Sequence, residues 1–210
     1  TQPERAATIE AAADHLQASH ARAHSFAGRI GRFVQPVFEP LGYDSIWATE
    51  HYGSAYSMQP NPLQYLAYWA GRTSRVDVGT AVIVAPWWNP IRLASEVSML
   101  DILLKGRRLH VGVGRGVAPH EYSSLNIPIE QSHDYFYDVV NVLRASDGAE
   151  RFEYDGKVYK IPPSSIRPQP RHKGELTRNI KAAFTIENSM RLAAQNGLGQ
   201  LVRAFVTAEL

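Results

Sequence analysis

Two hydrophobic rhythms alternate along the chain. Runs that are almost continuously apolar, VDVGTAVIVAP over residues 76–86 and RLHVGVGRG over 108–116, are separated by longer stretches whose apolar residues recur every three or four positions. The first kind suits a strand covered on both faces, and the second a helix with one buried stripe. NPLQYLAYWAGRTSR (61–75) and NPIRLASEVSMLDILLKG (89–106) both open on Asn-Pro, a side-chain cap followed by a residue with no amide to lose, and Gly106 is a natural stop for the second. Residues 43–52, rich in aromatic and β-branched side chains, read as a strand, and IEQSHDYFYDVVNVLRAS (129–146) reads as a helix through Tyr135, Val139, Val142 and Leu143. FEYDGKVYKI (152–161) reads as a hairpin turning at Asp155-Gly156, NIKAAFT (179–185) as a fourth strand, and SMRLAAQNG (189–197) as a helix ending at Gly197. Upstream, Phe26, Ile30, Val34, Val37 and Leu41 keep a helical spacing within residues 3–41, with Pro36 bending or dividing that helix. Residues 1–25 read as a polar, alanine-rich helix apart from the unit that follows at 26–210.

Strands that alternate with helices predict βαβ units in a parallel sheet, either doubly wound or closed into a barrel. A hairpin inserted between a helix and the next strand favours an excursion on a barrel rim. In either architecture the reactive groups gather at the carboxyl ends of the strands, which selects Glu50 and His51, residues 85–88, Arg115 and Thr185. His51 has two readings, an acid or base working near neutral pH or a strand cap bonded to Glu50. Arg115 likewise is either a fork for a phosphate or a rim residue paired with Glu121 or Glu96.

The remaining bulk properties mostly remove alternatives. The 210 residues carry 22 basic and 20 acidic side chains, a formal charge of +2, which gives no concentrated basic surface for nucleic acid. There is no cysteine, so disulfide frameworks and thiolate metal sites are excluded. The apolar runs are too short to span a membrane and the first residues lack the pattern of a signal peptide, so the expected location is the cytoplasm. His20 and His24 stand one helical turn apart, a spacing that zinc sites use when a third ligand is near, but Arg22 lies between them on what reads as a solvated helix, and no metal is expected. Tyr65, Tyr68 and Trp69 read as a buried helix face. The glycines of HVGVGRG are spaced G-x-G-x-G, which departs from the G-x-G-x-x-G of dinucleotide folds, and no long helix opens on Gly116.

LGYDSIWATEHY (41–52), RVDVGTAVIVAPWWNPIRLASEVSMLD (75–101) and KGRRLHVGVGRGVAPHEYSSLNI (105–127), in this order, resemble the luciferase-like flavin monooxygenases, a TIM-barrel family. The likeness runs from about residue 33 to residue 199. It implies a partial (β/α) barrel, because a whole one takes roughly 250 residues and eight strands, and the four strands seen here correspond to the second through fifth. It implies that Arg115 binds the flavin phosphate, that the glycines around Gly114 leave room for the flavin, and that His51, with Glu50 before it, is the catalytic histidine. It implies a cis peptide between Ala81 and Val82 beneath the flavin ring, and further phosphate contacts from Thr185 and Ser189 at a helix start. The activity implied is oxidation of an aldehyde or other small apolar organic substrate by O2 and reduced FMN drawn from a separate flavin reductase. A hydride-transferring enzyme using the deazaflavin F420, and a non-catalytic flavin-binding protein, are the alternatives. The likeness also implies a homodimer formed through helices 61–75 and 89–106, with Leu63, Leu66, Trp69, Leu93, Val97 and Leu100 as their apolar content.

Overall fold

A computed structural model describes residues 39–53, 55, 57–178, 180–184 and 187–201. The expected N-terminal helix, the pair His20 and His24, and Thr185 lie outside the described residues. Within them the chain runs β1 (Ser45–Ala48), α1 (Pro62–Ala70), β2 (Asp77–Thr80), β3 (Ile83–Val84), a 3-10 turn (Ala85–Trp87), α2 (Pro90–Leu103), β4 (Leu109–His110), β5 (Gly112–Gly114), α3 (Pro119–Ser124), a second 3-10 turn (Ile129–Gln131), α4 (Ser132–Ser146), β6 (Phe152–Asp155), β7 (Lys160–Ser164), β8 (Lys181–Ala183), α5 (Glu187–Gln195) and β9 (Gly199–Leu201).

β2 and β3 are the two halves of one extended segment, as are β4 and β5, so the parallel ladders β1-β2-β4 and β3-β5-β8-β9 join into five neighbouring staves. The staves stand side by side in chain order. A doubly wound sheet reverses direction at a switch point, so unbroken order is the mark of a barrel wall. Among the described residues the wall does not close: β1 and β9 are its edges, and the fold is a partial TIM barrel. The fifth stave was absent from the sequence reading because Gly199-Gln200-Leu201 is short, begins on glycine and contains no β-branched residue.

The core lies between the outer face of this wall and the helices. Asn61 accepts the amide of Gln64 and Asn89 those of Ile91 and Arg92, so both Asn-Pro sequences start helices as their chemistry predicts. α1 and α2 then lay Leu63, Leu66, Trp69, Leu93, Val97 and Leu100 against Val78, Ile83, Val111 and Val113 of the wall. Each buried side chain of this size contributes about 1.5–3 kcal/mol. These six residues are at most 3% exposed, which corrects the expectation that they face a second subunit. The apolar residues that α1 and α2 turn to solvent are Tyr68, Met99, Ile102 and Leu103, while Tyr65 is half-buried beside Trp69.

Where β2 passes into β3 the peptide Ala81–Val82 is cis. The ladder to the next stave is interrupted there, and the buried Thr80 hydroxyl bridges the gap by donating to the Gly112 carbonyl at 2.8 Å and accepting the Gly112 amide at 2.9 Å. The hairpin β6–β7 is anchored to α4 by the buried Asp138 carboxylate, which accepts the Tyr154 hydroxyl (2.9 Å) and the amides of Val158 (2.7 Å) and Tyr159 (2.9 Å). Burial opposes the charge on Asp138, but these donors outweigh it and hold the carboxyl below its ordinary range.

Candidate active site

The carboxyl ends of the first three staves bring together the Glu50-His51 segment, the Ala81–Val82 bend with Trp87 and Trp88 beyond it, and Arg115 with Gly116. α3 and the start of α4 close the group from the side. The sequence reading singled out Glu50 and His51 as one unit, but the structure divides their work. Glu50 is buried beneath the surface and its two oxygens accept the Val84 amide (2.7 Å), the Trp88 indole N–H (2.9 and 3.0 Å) and the Tyr52 hydroxyl (3.3 Å). It thereby ties β1, β3 and the 3-10 turn into one block. Burial pushes its carboxyl up to about 8; the Trp88, Val84 and Tyr52 donors work against that rise, and the nearby Glu121 adds to it.

His51 is half-exposed and does not bond to Glu50. Its Nδ1 lies 3.1 Å from Oε1 of Glu121, and the same oxygen accepts the Tyr52 amide at 2.8 Å. Glu121 is 2% exposed, so a buried carboxylate holds both the imidazole and the backbone next to it. Nδ1 facing a carboxylate donates to it, and in the neutral ring this tautomer makes Nε2 the acceptor, the form a general base requires.

Arg115 pairs with neither of the carboxylates considered for it, since Glu121 is committed to His51 and Glu96 to Arg92 at 2.7 Å. Its guanidinium instead donates through Nη1 to the hydroxyl of Ser132 at 2.9 Å, the buried first residue of the 15-residue helix α4, and its carbonyl accepts the Tyr122 hydroxyl. No side chain caps α4, and no carboxylate forms an ion pair with Arg115 among the described residues. Two positive features, a guanidinium and a helix N-terminus, therefore meet, and the carboxylate in the first turn of α4, Asp134, is paired with Lys157 at 2.7 Å. The neighbouring His133 reflects this field: burial first, then Arg115, moves its pKa below the ordinary histidine value.

Tyr52, Trp87 and Tyr122 link the two halves of the group edge to face, with ring centroids 5.4 Å apart for Tyr52–Trp87 and 5.7 Å for Trp87–Tyr122. The indole N–H of Trp87 is buried and among the described residues has no hydrogen-bond partner. Ala81 is exposed and Val82 is half-buried. The glycines of this region accommodate the protein itself. A Cβ on Gly114 would stand 2.5 Å from Cγ2 of Val82, and one on Gly116, whose φ is +76°, would stand 2.7 Å from Cγ1 of Val84. On the side that a Cβ of Gly114 would take, the space is thus filled by Val82. Ser189 lies half-buried in α5, and among the described residues no hydrogen bond joins it to Arg115.

Sequence reasoning missed Glu121 as the partner of His51, and with it Ser132 and Tyr52, while Trp87 falls within the strand-end residues 85–88 that it selected. His51 and Glu121 are 70 residues apart, and no spacing rule links them. The one signal was that both flank apolar strands.

A family model described as luciferase-like monooxygenase matches residues 6–210. The oxygenase component of a flavin-dependent trigonelline monooxygenase from Acinetobacter baylyi is 32% identical over 158 residues, which cover 74% of this chain and 43% of that protein. A monooxygenase from Streptomyces bottropensis is similar in structure with a TM-score of 0.72 and 28% identity, covering 78% of this chain and 49% of that one. The oxygenating constituent of 3,6-diketocamphane monooxygenase from Pseudomonas putida, solved with FMN, shares the fold with a TM-score of 0.70 over 86% of this chain and 52% of its own. The chain spans about half the length of these relatives.

Proposed function

The chain belongs to the luciferase-like monooxygenase family, and on that premise we propose that it binds FMN at the carboxyl ends of its strands and serves in oxidation of a small organic substrate by O2. One observation carries the reading: a guanidinium that among the described residues has no carboxylate partner sits at the N-terminus of α4, which no side chain caps, beside a histidine oriented by a buried carboxylate. That donor set fits a phosphate monoester, which takes the Arg115 fork and the positive helix end together. Thr185 and Ser189 are retained as further phosphate contacts on the strength of the family likeness. When bound, the flavin supplies the reducing electrons that activate O2. The chain's own residues would hold its phosphate at Arg115, would face its ring with Ala81, Val82 and Gly114, and would exchange a proton at Nε2 of His51 while Glu121 fixes the imidazole. Glu50 acts from below as a positioning residue.

Reduced flavin comes from a separate reductase, in keeping with the trigonelline relative being named an oxygenase component. The chain works in the cytoplasm and pairs with a second copy through Tyr68, Met99, Ile102 and Leu103. Among the described residues no helix is long and apolar enough to cross a membrane. Titration with FMN and with F420, followed by O2 uptake in the presence of a flavin reductase, NADH and an aldehyde, tests the reading. Tight FMN binding with substrate-dependent uptake supports it. Preference for F420 moves the chain to hydride transfer, and FMN binding without uptake makes it a flavin-binding protein.

A further inference from the structure

We propose that the opposite end of the sheet, where the strands begin, holds a second binding site for a small phosphorylated anion, distinct from the one at Arg115. A cavity of about 860 Å3 opens there, walled by the loops that enter β4, β8 and β9. That volume suits a ligand of nucleotide size. Arg108, Arg178 and Lys181 line it, and among the described residues none of the three forms an ion pair. The wall contains two carboxylates. Asp101, fully buried, is already taken by the Arg171 amide (2.6 Å), the His172 amide (3.0 Å) and Nδ1 of His172 (2.7 Å). Only the exposed Glu175 remains against three cations.

A more ordinary role for these cations is to answer the carbonyls at helix C-termini, which collect at this end of a parallel sheet. That role is filled by other residues. Arg107 donates to the carbonyls of Leu104, Ala70 and Val76, and Arg144 to those of Asn196 and Gly197. Arg108, Arg178 and Lys181 are surplus to it. Their field is felt by His110, another lining residue, whose pKa is lowered by burial first and then by Lys181, with Arg108 adding and Asp77 opposing. A multivalent phosphate meets this arrangement better than a single carboxylate, because its charge is spread over several oxygens that separate cations can share.

Calorimetric titration of the full chain with inorganic pyrophosphate tests the proposal, with sulfate as the control ion. Pyrophosphate binding is expected to persist in Arg115→Ala, which removes the other anion site, and in that background to weaken more than about tenfold with Arg108→Gln combined with Lys181→Met. Pyrophosphate is also expected to raise the pH at which the imidazole Cε1 proton of His110 titrates in NMR spectra, since an added anion favours the imidazolium. Both cations are on loops or at a strand start, and unchanged circular dichroism verifies that the double variant is folded. Should it instead fail to fold, the His110 titration in the unaltered chain decides alone. Binding lost in Arg115→Ala but kept in the double variant, equal affinity for sulfate, no response of His110, or no heat at millimolar pyrophosphate each overturns the proposal.

Discussion

The two ends of the sheet use the same side-chain chemistry with opposite sign. Where the strands end and the helices begin, the backbone presents N–H groups, and acceptors answer them: Asn61 and Asn89 cap α1 and α2, Glu50 takes the Val84 amide, and Glu121 takes the Tyr52 amide. Where the helices end, the backbone presents carbonyls, and Arg107 and Arg144 answer those. Parallel βα units impose this polarity, since every helix points the same way relative to the strands. The lesson lies in the exception. Arg115 is a cation at the end where anions belong, and among the described residues no carboxylate answers its charge, whereas Arg107 at the other end is explained by three carbonyls.

The largest expected effect removes an acceptor from the donor end. Glu50→Ala leaves the Val84 amide, the Trp88 indole N–H and the Tyr52 hydroxyl without their carboxylate in a buried site, at about 1–3 kcal/mol for each buried donor, so a loss of roughly 3 kcal/mol or more is expected in urea unfolding. A pH series sharpens the point. Because the folded-state value of Glu50 is raised from 4.5 to about 8, its contribution is fully present below 4.5 and is lost as pH rises toward 8. The stability of the unaltered chain should fall across that window, and Glu50→Gln should flatten the fall. A slope that survives in Glu50→Gln would assign it to other groups.

His51→Ala, the next in size, is expected to lower substrate oxidation by roughly 10² or more while flavin affinity stays within a few-fold. Turnover equal to that of the unaltered chain would reduce His51 to a loop residue clamped by Glu121. Arg115→Ala tests the exception directly: loss of the guanidinium should weaken FMN binding at least about tenfold, on a contribution of about 1.5–3 kcal/mol from a charge-assisted hydrogen bond. An unchanged dissociation constant would remove Arg115 from the site and with it the contrast between the two ends.

Much of the scaffold was legible because it is written in local chemistry. Asn-Pro at 61–62 and 89–90 starts two helices, and the apolar runs around Val78 and Val113 become staves. The hairpin was legible in place but not in cause. Gly156 opens a loop closed by its amide on the Tyr159 carbonyl, and it is glycine because a Cβ there would stand 2.4 Å from the Asp138 carboxylate. The candidate site was legible only as separate points. Glu50, His51 and Arg115 were found by their position after strands, but that Glu50 is buried, that Glu121 belongs to His51 and that Ser132 receives Arg115 are facts of tertiary contact between distant segments. The same holds for Leu63, Leu66 and Trp69, whose helical spacing identifies a stripe without saying what covers it.

The smallest expected effect on folding concerns that covering. α1 and α2 turn their main stripe to the wall and keep Tyr68, Met99, Ile102 and Leu103 outside, with the Arg72 guanidinium 4.7 Å above the Tyr68 ring. A patch of this kind on two adjacent helices is a candidate contact between copies. Because these residues are exposed, Met99→Lys with Ile102→Lys should shift stability by no more than about 0.5 kcal/mol. If the patch joins two copies, the same change should convert a dimer to a monomer in light scattering after size exclusion. The edges that β1 and β9 form among the described residues offer a second route to association, since unpaired strand amides recruit other strands. The two routes separate cleanly: lysines on α2 abolish a helix-mediated dimer but leave edge-driven aggregation and dye binding unchanged. A monodisperse monomer of the unaltered chain with one cooperative unfolding transition would exclude both.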